Sequence, residues 1–340
     1  MNITAILFTS LLLCACCAQK QTSEQNPEPV VVAGGFAKGA DVSWISQMEK
    51  EGLVFKNKSG KQGECMQILK EDCGVNSIRL RVWVDPEDGW NNIGDVLVKA
   101  RRAHELGLRL MIDFHFSDTW ADPGHQITPK AWQDYNLAQL KEAVAGHVTQ
   151  MLSALDYFGI CPEWVQIGNE TRGGFMYPLG SAENGSNFAE LVNAGYDAVK
   201  AIFPQTKVIV HLDGGNYMSH YTYIFDNLKK YNGKYDMVGM SLYPGESDWK
   251  EQANDVVANI NTIWNTYGVP VMLCEIGFDY TQAQACNECI AYLMRLGKTT
   301  GHFEGIFYWE PEAPAGYNGG YNKGCFVNGA PTSALDAFIE

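Results

Sequence analysis

Eight short β-rich runs alternate with helical stretches along the chain, and this alternation restricts the fold more than any other feature. The runs are VVVAGGF (30–36), SIRLRVWV (77–84), RLMIDFHF (109–116), EWVQIGNE (163–170), KVIVHLD (207–213), DMVGMSLY (236–243), PVMLCEIGF (270–278) and GIFYWEP (305–311). Between them lie segments such as DVLVKARRAHELG (95–107) and NFAELVNAGYDAVKAIF (187–203). A strand-helix alternation of this kind builds a parallel sheet. Eight cycles predict a single (β/α)8 TIM barrel. A doubly wound sheet is the alternative, but AGGFAKGAD (33–41) lacks the glycine spacing of a dinucleotide-binding turn.

Side-chain parity tells the two faces of each run apart, because successive strand residues point to opposite sides. In 77–84, Ile78, Leu80, Val82 and Val84 form the apolar face that must meet the helices. Arg79, Arg81 and Trp83 then point into the barrel. The same reasoning turns Asp113, His115, His211 and Asp213 inward, and puts Glu170 on the inner side with Gln166 and Gly168. Both faces of 270–278 are apolar, so parity does not orient Glu275. Charges at the carboxyl ends of barrel strands sit at the mouth where this fold builds active sites. Buried arginines need anionic partners, and Glu170 and Glu275 are available.

Two carboxylates in one cleft are the machinery of glycoside hydrolysis, one protonating the leaving oxygen and the other attacking or activating water. The competing reading, in which each glutamate only neutralises an arginine, stays open on the residues alone. Trp83, Trp90, Trp120, Trp309, Tyr243 and Tyr317 fall at strand ends or in the following loops, where aromatic faces can stack on sugar rings. Asp113-x-His115 has no clear third metal ligand. No Gly-x-Ser-x-Gly elbow occurs. With 25 Lys and Arg against 39 Asp and Glu, the formal charge of −14 argues against nucleic acid and anionic lipid surfaces as partners.

Several blocks in fixed order, GADVSWISQMEKEG (39–52), SIRLRVWVDPEDG (77–89), DFHFSDTWADPGHQ (113–126), VQIGNE (165–170), IVHLDGG (209–215), MSLYP (240–244), CEIGF (274–278) and FYWEP (307–311), resemble the endo-β-1,4-galactanases of glycoside hydrolase family 53. The resemblance runs from about Gly35 to Glu340. It implies a retaining (β/α)8 enzyme acting on β-1,4-galactan, the side chain of pectic arabinogalactan type I. It implies Glu170 as acid/base and Glu275 as nucleophile. Asn169 would bind the sugar 2-hydroxyl, and Arg79 and Tyr243 would support the nucleophile. His115, Asp118 and Trp309 would line the cleft, with Asp213 nearby. Some bacterial relatives carry calcium in a long loop after the seventh strand. Here CEIGFDYTQAQACNECIAYL (274–293) passes quickly from strand to helix and offers no row of oxygen ligands, so neither metal nor other cofactor is expected. The rival readings are a mannanase or glucanase of the same clan, or a non-catalytic glycan-binding lipoprotein. No obligate protein partner is evident.

The N-terminus has a different character. ITAILFTSLLLCACCAQ has the length of a secretion signal's apolar stretch rather than a membrane span. LCAC (13–16) resembles a bacterial lipobox with Cys16 as the acylated residue, although Met1-Asn2-Ile3 lacks the usual Lys or Arg. The expected organisation is a signal region at 1–16, a polar linker at 17–29 and the catalytic domain at 30–340. The expected location is that of a secreted bacterial lipoprotein, in the periplasm or on the outer membrane or cell surface. In the folded part remain Cys65, Cys73, Cys161, Cys274, Cys286, Cys289 and Cys325. Their odd number forbids complete pairing, and Cys65 and Cys73, eight positions apart on one predicted helix, are separated by about 12 Å, beyond disulfide reach. They read as small buried apolar residues. If Cys16 carries the lipid, Cys16→Ser moves the protein from the membrane to the soluble fraction and abolishes lipid labelling. Unchanged fractionation and labelling would refute the anchor.

Overall fold

Parallel strands that alternate with helices close on themselves when each end of the sheet finds the other, and that closure is realised here. The computed structural model describes residues 34–339. Its strands are β1 (Ala37–Asp41), β2 (Ser77–Val82), β3 (Arg109–Phe114), β4 (Trp164–Ile167), β5 (Lys207–Leu212), β6 (Met237–Leu242), β7 (Val271–Ile276) and β8 (Phe303–Trp309). They form a closed barrel in sequence order, and β1 pairs parallel with β8 from Ala37–Gly305 to Asp41–Trp309. The expected (β/α)8 barrel is therefore the fold.

The helices are α1 (Ile45–Lys50), α2 (Cys65–Cys73), α3 (Ile93–Glu105), α4 (Leu137–Tyr157), α5 (Gly185–Ile202), α6 (Met218–Lys230), α7 (Trp249–Tyr267) and α8 (Ala283–Thr300). Helix α4 shows how the sequence specifies them. Asn136 and Gln139 close a capping box at its start. Leu140, Val144, Val148, Met151 and Leu155 then fall on one face and are buried. The eighth cycle has only the four-residue turn of helix Tyr317–Gly320 and ends in the 3₁₀ segment Ser333–Phe338, held to α8 by Ala337 N–H donating to Asn287 Oδ1 at 2.6 Å.

The first strand differs from its expected place. The run at 30–36 was the apolar choice, but β1 is the seven-residues-later AKGAD. Residues 30–33 lie outside the described residues, as do the signal region, Cys16 and the linker 17–29. AKGAD lacks apolar alternation because its inner side is crowded rather than greasy. A Cβ on Gly39 would sit 2.1 Å from the Phe307 ring. Phe307 belongs to the apolar plug at the bottom of the barrel, with Ala37, Met111, Trp164, Ile209, Met237, Met272 and Cys274. Above this plug the inner layer turns polar and charged.

Strand β7 settles the orientation that parity left open. Leu273 pairs with Met240 but Glu275 pairs with Ser241, so Cys274 is an extra residue in the ladder. This β-bulge puts Cys274 and Glu275 on the inner side in succession. All seven cysteines in the described residues are free; six are buried and Cys161 is partly so. Among the described residues no helix is long and apolar enough to cross a membrane.

Gly39→Ala should destabilise the barrel by roughly 1–3 kcal/mol, the range for overpacking a filled core, and Phe307→Leu should restore part of the loss. Thermal unfolding of the single and double variants measures both. An unchanged midpoint for Gly39→Ala would show that the barrel floor has slack.

Candidate active site

The polar layer is organised by Arg79, which points inward from β2 and is buried. Its Nη1 lies 2.7 Å from Asp41 Oδ2 on β1, and its Nη2 lies 2.8 Å from Asp113 Oδ2 on β3 and 2.9 Å from Glu275 Oε1 on β7. Nε donates to Gln166 Oε1 on β4 at 3.1 Å. Arg79 therefore meets side chains from four other strands. Arg81 does not pair with either expected glutamate. Its ion pair is with Glu310, just past the end of β8, with Asp41 Oδ1 at 3.9 Å. The reason is register: Asp41 and Trp309 are neighbours across the β1–β8 seam, so the residue after Trp309 reaches the arginine.

Glu275 is held from two sides. Besides Arg79, the Tyr243 hydroxyl donates to its Oε2 at 2.7 Å. Burial pushes its carboxyl pKa up, while Arg79 and the Tyr243 hydrogen bond pull against that rise. Glu170 has no comparable cation. Burial raises its pKa well above the ordinary carboxyl range and the Glu275 charge adds to the rise, with a hydrogen bond from Ser241 opposing. Of the two groups, Glu170 holds the proton.

The turn that presents Glu170 is tight. Gly168 has φ +81°, and a Cβ there would meet the Thr171 methyl at 2.5 Å. Glu170 itself has φ 47°, a left-handed conformation that costs a non-glycine residue about 1–3 kcal/mol. Asn169 between them is fixed on all sides. Its Oδ1 accepts from Arg79 Nη2 at 2.9 Å and Gln166 Nε2 at 3.1 Å and lies 2.9 Å from His211 Nδ1. Its Nδ2 donates to the Ala121 carbonyl at 2.8 Å. One amide N–H is thus left for a ligand in the cleft that Asn169 lines. Burial drives His211 well below its usual pKa, so it is a neutral part of this network.

Trp44, His115, Trp120, Tyr243, Trp309 and Tyr321 line the cleft around the two glutamates. His115 is anchored by Asp113 Oδ2 at 2.9 Å and by the Trp83 indole N–H at 3.1 Å. Asp213 stands near Glu170, whose pKa it raises, and pairs with Arg172 at 3.3 Å. Asp118 lies further off. It accepts from the Asp85 and Lys130 backbone N–H groups and lines an adjoining groove with Trp90. Asp41, Trp44, Gln166 and Ser241 are the site residues that sequence reasoning did not single out. Asp41 and Trp44 escaped because β1 was placed too early. Parity turns Gln166 inward but assigns it no role.

A sequence profile of glycosyl hydrolase family 53 matches residues 37–294. The chain belongs to that family. A probable arabinogalactan endo-β-1,4-galactanase A of Aspergillus fumigatus is 34% identical over 303 residues, covering 81% of this chain and 83% of the relative. The endo-β-1,4-galactanase of Bacillus subtilis is 30% identical over 333 residues, covering 86% and 75%. Among solved structures, one of two fungal β-1,4-galactanases superposes with a TM-score of 0.83 at 27% identity, covering 90% of this chain and 99% of that one. A family 53 catalytic domain of Ignisphaera aggregans gives 0.81 at 28% identity, covering 92% and 98%.

Tyr243 donates to the ionised form of Glu275, which lowers that group's pKa. If Glu275 acts ionised and Glu170 protonated, Tyr243→Phe should move the acid limb of kcat/KM to higher pH and leave the alkaline limb in place. A pH-rate profile measures it, and an alkaline limb that moves instead would exchange the two assignments.

Proposed function

We propose that the protein is a retaining endo-β-1,4-galactanase that cleaves internal bonds of β-1,4-galactan, with Glu275 as nucleophile and Glu170 as acid/base. The observation that carries this reading is the inequality of the two carboxyls: Arg79 and Tyr243 grip Glu275, while Glu170 has burial and a neighbouring anion. Environments that push two carboxyl pKa values apart assign an acid and a base. The galactanase relatives support the substrate.

In the first step Glu275 Oε attacks the anomeric carbon as the glycosidic C–O bond breaks, and the Glu170 proton goes to the leaving 4-oxygen. The product is a glycosyl ester on Glu275, and Glu170 is left ionised. With its proton gone, Glu170 removes one from water, whose oxygen attacks the anomeric carbon and displaces Glu275. Two inversions give net retention. Arg79 and Tyr243 stabilise Glu275 as carboxylate before attack and as leaving group afterwards. The spare Asn169 N–H suits the 2-hydroxyl, where hydrogen bonds strengthen in the transition state. The aromatic lining gives the sugar rings apolar faces to rest on.

The same proposal places the enzyme on a lipid anchor through Cys16, on the support of the apolar run and LCAC that precede the polar linker.

The two glutamates are distinguished by substrates with different leaving groups. Glu275→Ala should lose activity on galactan and on activated aryl galactosides alike. Glu170→Ala should lose roughly 10²–10⁴-fold on galactan, the usual worth of general acid-base help, but form the glycosyl-enzyme readily from an activated aryl substrate. Azide needs no general base, so it should restore turnover of Glu170→Ala and give a β-galactosyl azide. A β-azide from Glu275→Ala, with an α-azide from Glu170→Ala, reverses the roles. Full activity of both variants on galactan ends the catalytic reading.

A further inference from the structure

Arg81 is a second buried arginine two residues from Arg79, and the reaction just described does not use it. Its only hydrogen bond from the guanidinium goes from Nη1 to Glu310 Oε1, while Nε and Nη2 are buried with no acceptor among the described residues. Unsatisfied guanidinium N–H groups are expensive to bury, so something else must stabilise them. Three indoles surround the group. The guanidinium carbon lies 4.5 Å from the Trp120 ring centroid, 5.2 Å from Trp44 and 5.3 Å from Trp83. These separations are within the range of cation–π attraction, which strengthens out of water.

The rings come from three loops, and Trp120 also packs edge-on against Trp44 and Trp83, with centroids 5.6 and 5.2 Å away. Trp44 follows β1, Trp83 follows β2 and Trp120 lies beyond β3. Two of them, Trp44 and Trp120, are walls of the cleft that holds Glu170 and Glu275. Trp309, a third wall, packs against both, with centroids 5.4 and 5.9 Å away. Glu310 ties the arrangement to the barrel, because its other oxygen accepts from the Trp44 backbone N–H at 3.2 Å. One carboxylate therefore holds the arginine and the backbone of one of the rings it touches.

We propose that Arg81 is a positioning residue for substrate binding: its guanidinium sets the tilt of Trp44 and Trp120, and so shapes the aromatic wall on which a galactosyl ring rests beside the scissile bond. The competing account makes Arg81 a counter-ion for Glu310 and nothing more. A lysine would serve that purpose, since an ammonium neutralises a carboxylate. It cannot spread a flat cation across several ring faces.

The inference rests on the galactanase reading for its substrate, so release of reducing ends from galactan by the unaltered enzyme is established first. Its absence overturns that reading and leaves Arg81 to the spectroscopic arm below. Arg81→Lys is then compared with the unaltered enzyme. It should raise KM for galactan roughly tenfold, the equivalent of about 1.4 kcal/mol. The same variant should leave kcat within about threefold and the pH profile unmoved. Its near-ultraviolet circular dichroism without substrate should also change, because the coupling among Trp44, Trp120 and Trp309 depends on their mutual tilt. A KM and a spectrum equal to those of the unaltered enzyme reduce Arg81 to a counter-ion and overturn the proposal. So does a fall in melting temperature with KM unchanged, or failure of Arg81→Lys to fold, since either assigns a purely structural role.

Discussion

The site depends on one buried cation and the anions gathered to it. Removing a guanidinium from water is costly, and the cost is met only when its donors all find partners. Arg79 finds Asp41, Asp113, Glu275, Gln166 and Asn169, which come from five places in the chain. Each partner can reach it only if its strand has the right register. The charge that holds Glu275 is therefore also a check on the assembly of the barrel mouth. The surplus of anions around it has a further effect. Arg79 is shared among three carboxylates and does not touch Glu170, whose pKa is raised by burial first and by the Glu275 charge second.

Much of this was legible in the sequence because parity is a strong rule for strands buried on both sides. It placed Arg79, Arg81, Asp113, His211 and Glu170 inside the barrel. It failed at two points for different reasons. β1 has only five residues, one of them a glycine, and carries no apolar stripe, so VVVAGGF drew the assignment away from AKGAD. That error hid Asp41 and Trp44. β7 is apolar on both faces and contains a bulge, which no alternation rule can register in advance. Pairing failed too: Arg81 reaches Glu310 only because the last strand closes beside the first, a long-range event that local patterns do not encode.

The aromatic and ionic parts of the site are separate layers joined at few points. Trp83 donates to His115, which meets Asp113, which meets Arg79. Through this chain the aromatic wall and the buried ionic centre share one frame. Both arginines lie on β2, two residues apart and on the same face, so the strand's own pleat fixes the spacing between the two layers.

The extra residue in β7 gives the catalytic strand an odd length of reach. A regular strand keeps its faces when it gains or loses two residues, and a bulged one has already spent one such half-step. Met272 and Cys274 already face inward, so straightening the strand without losing a residue would turn Glu275 toward the helix layer and Ile276 inward, whereas deleting Cys274 would restore strict alternation with Glu275 still inside. Replacing Cys274 by another small apolar residue would leave the geometry alone. The inward aim of Glu275 therefore rests on the bulge rather than on the side chain that occupies it.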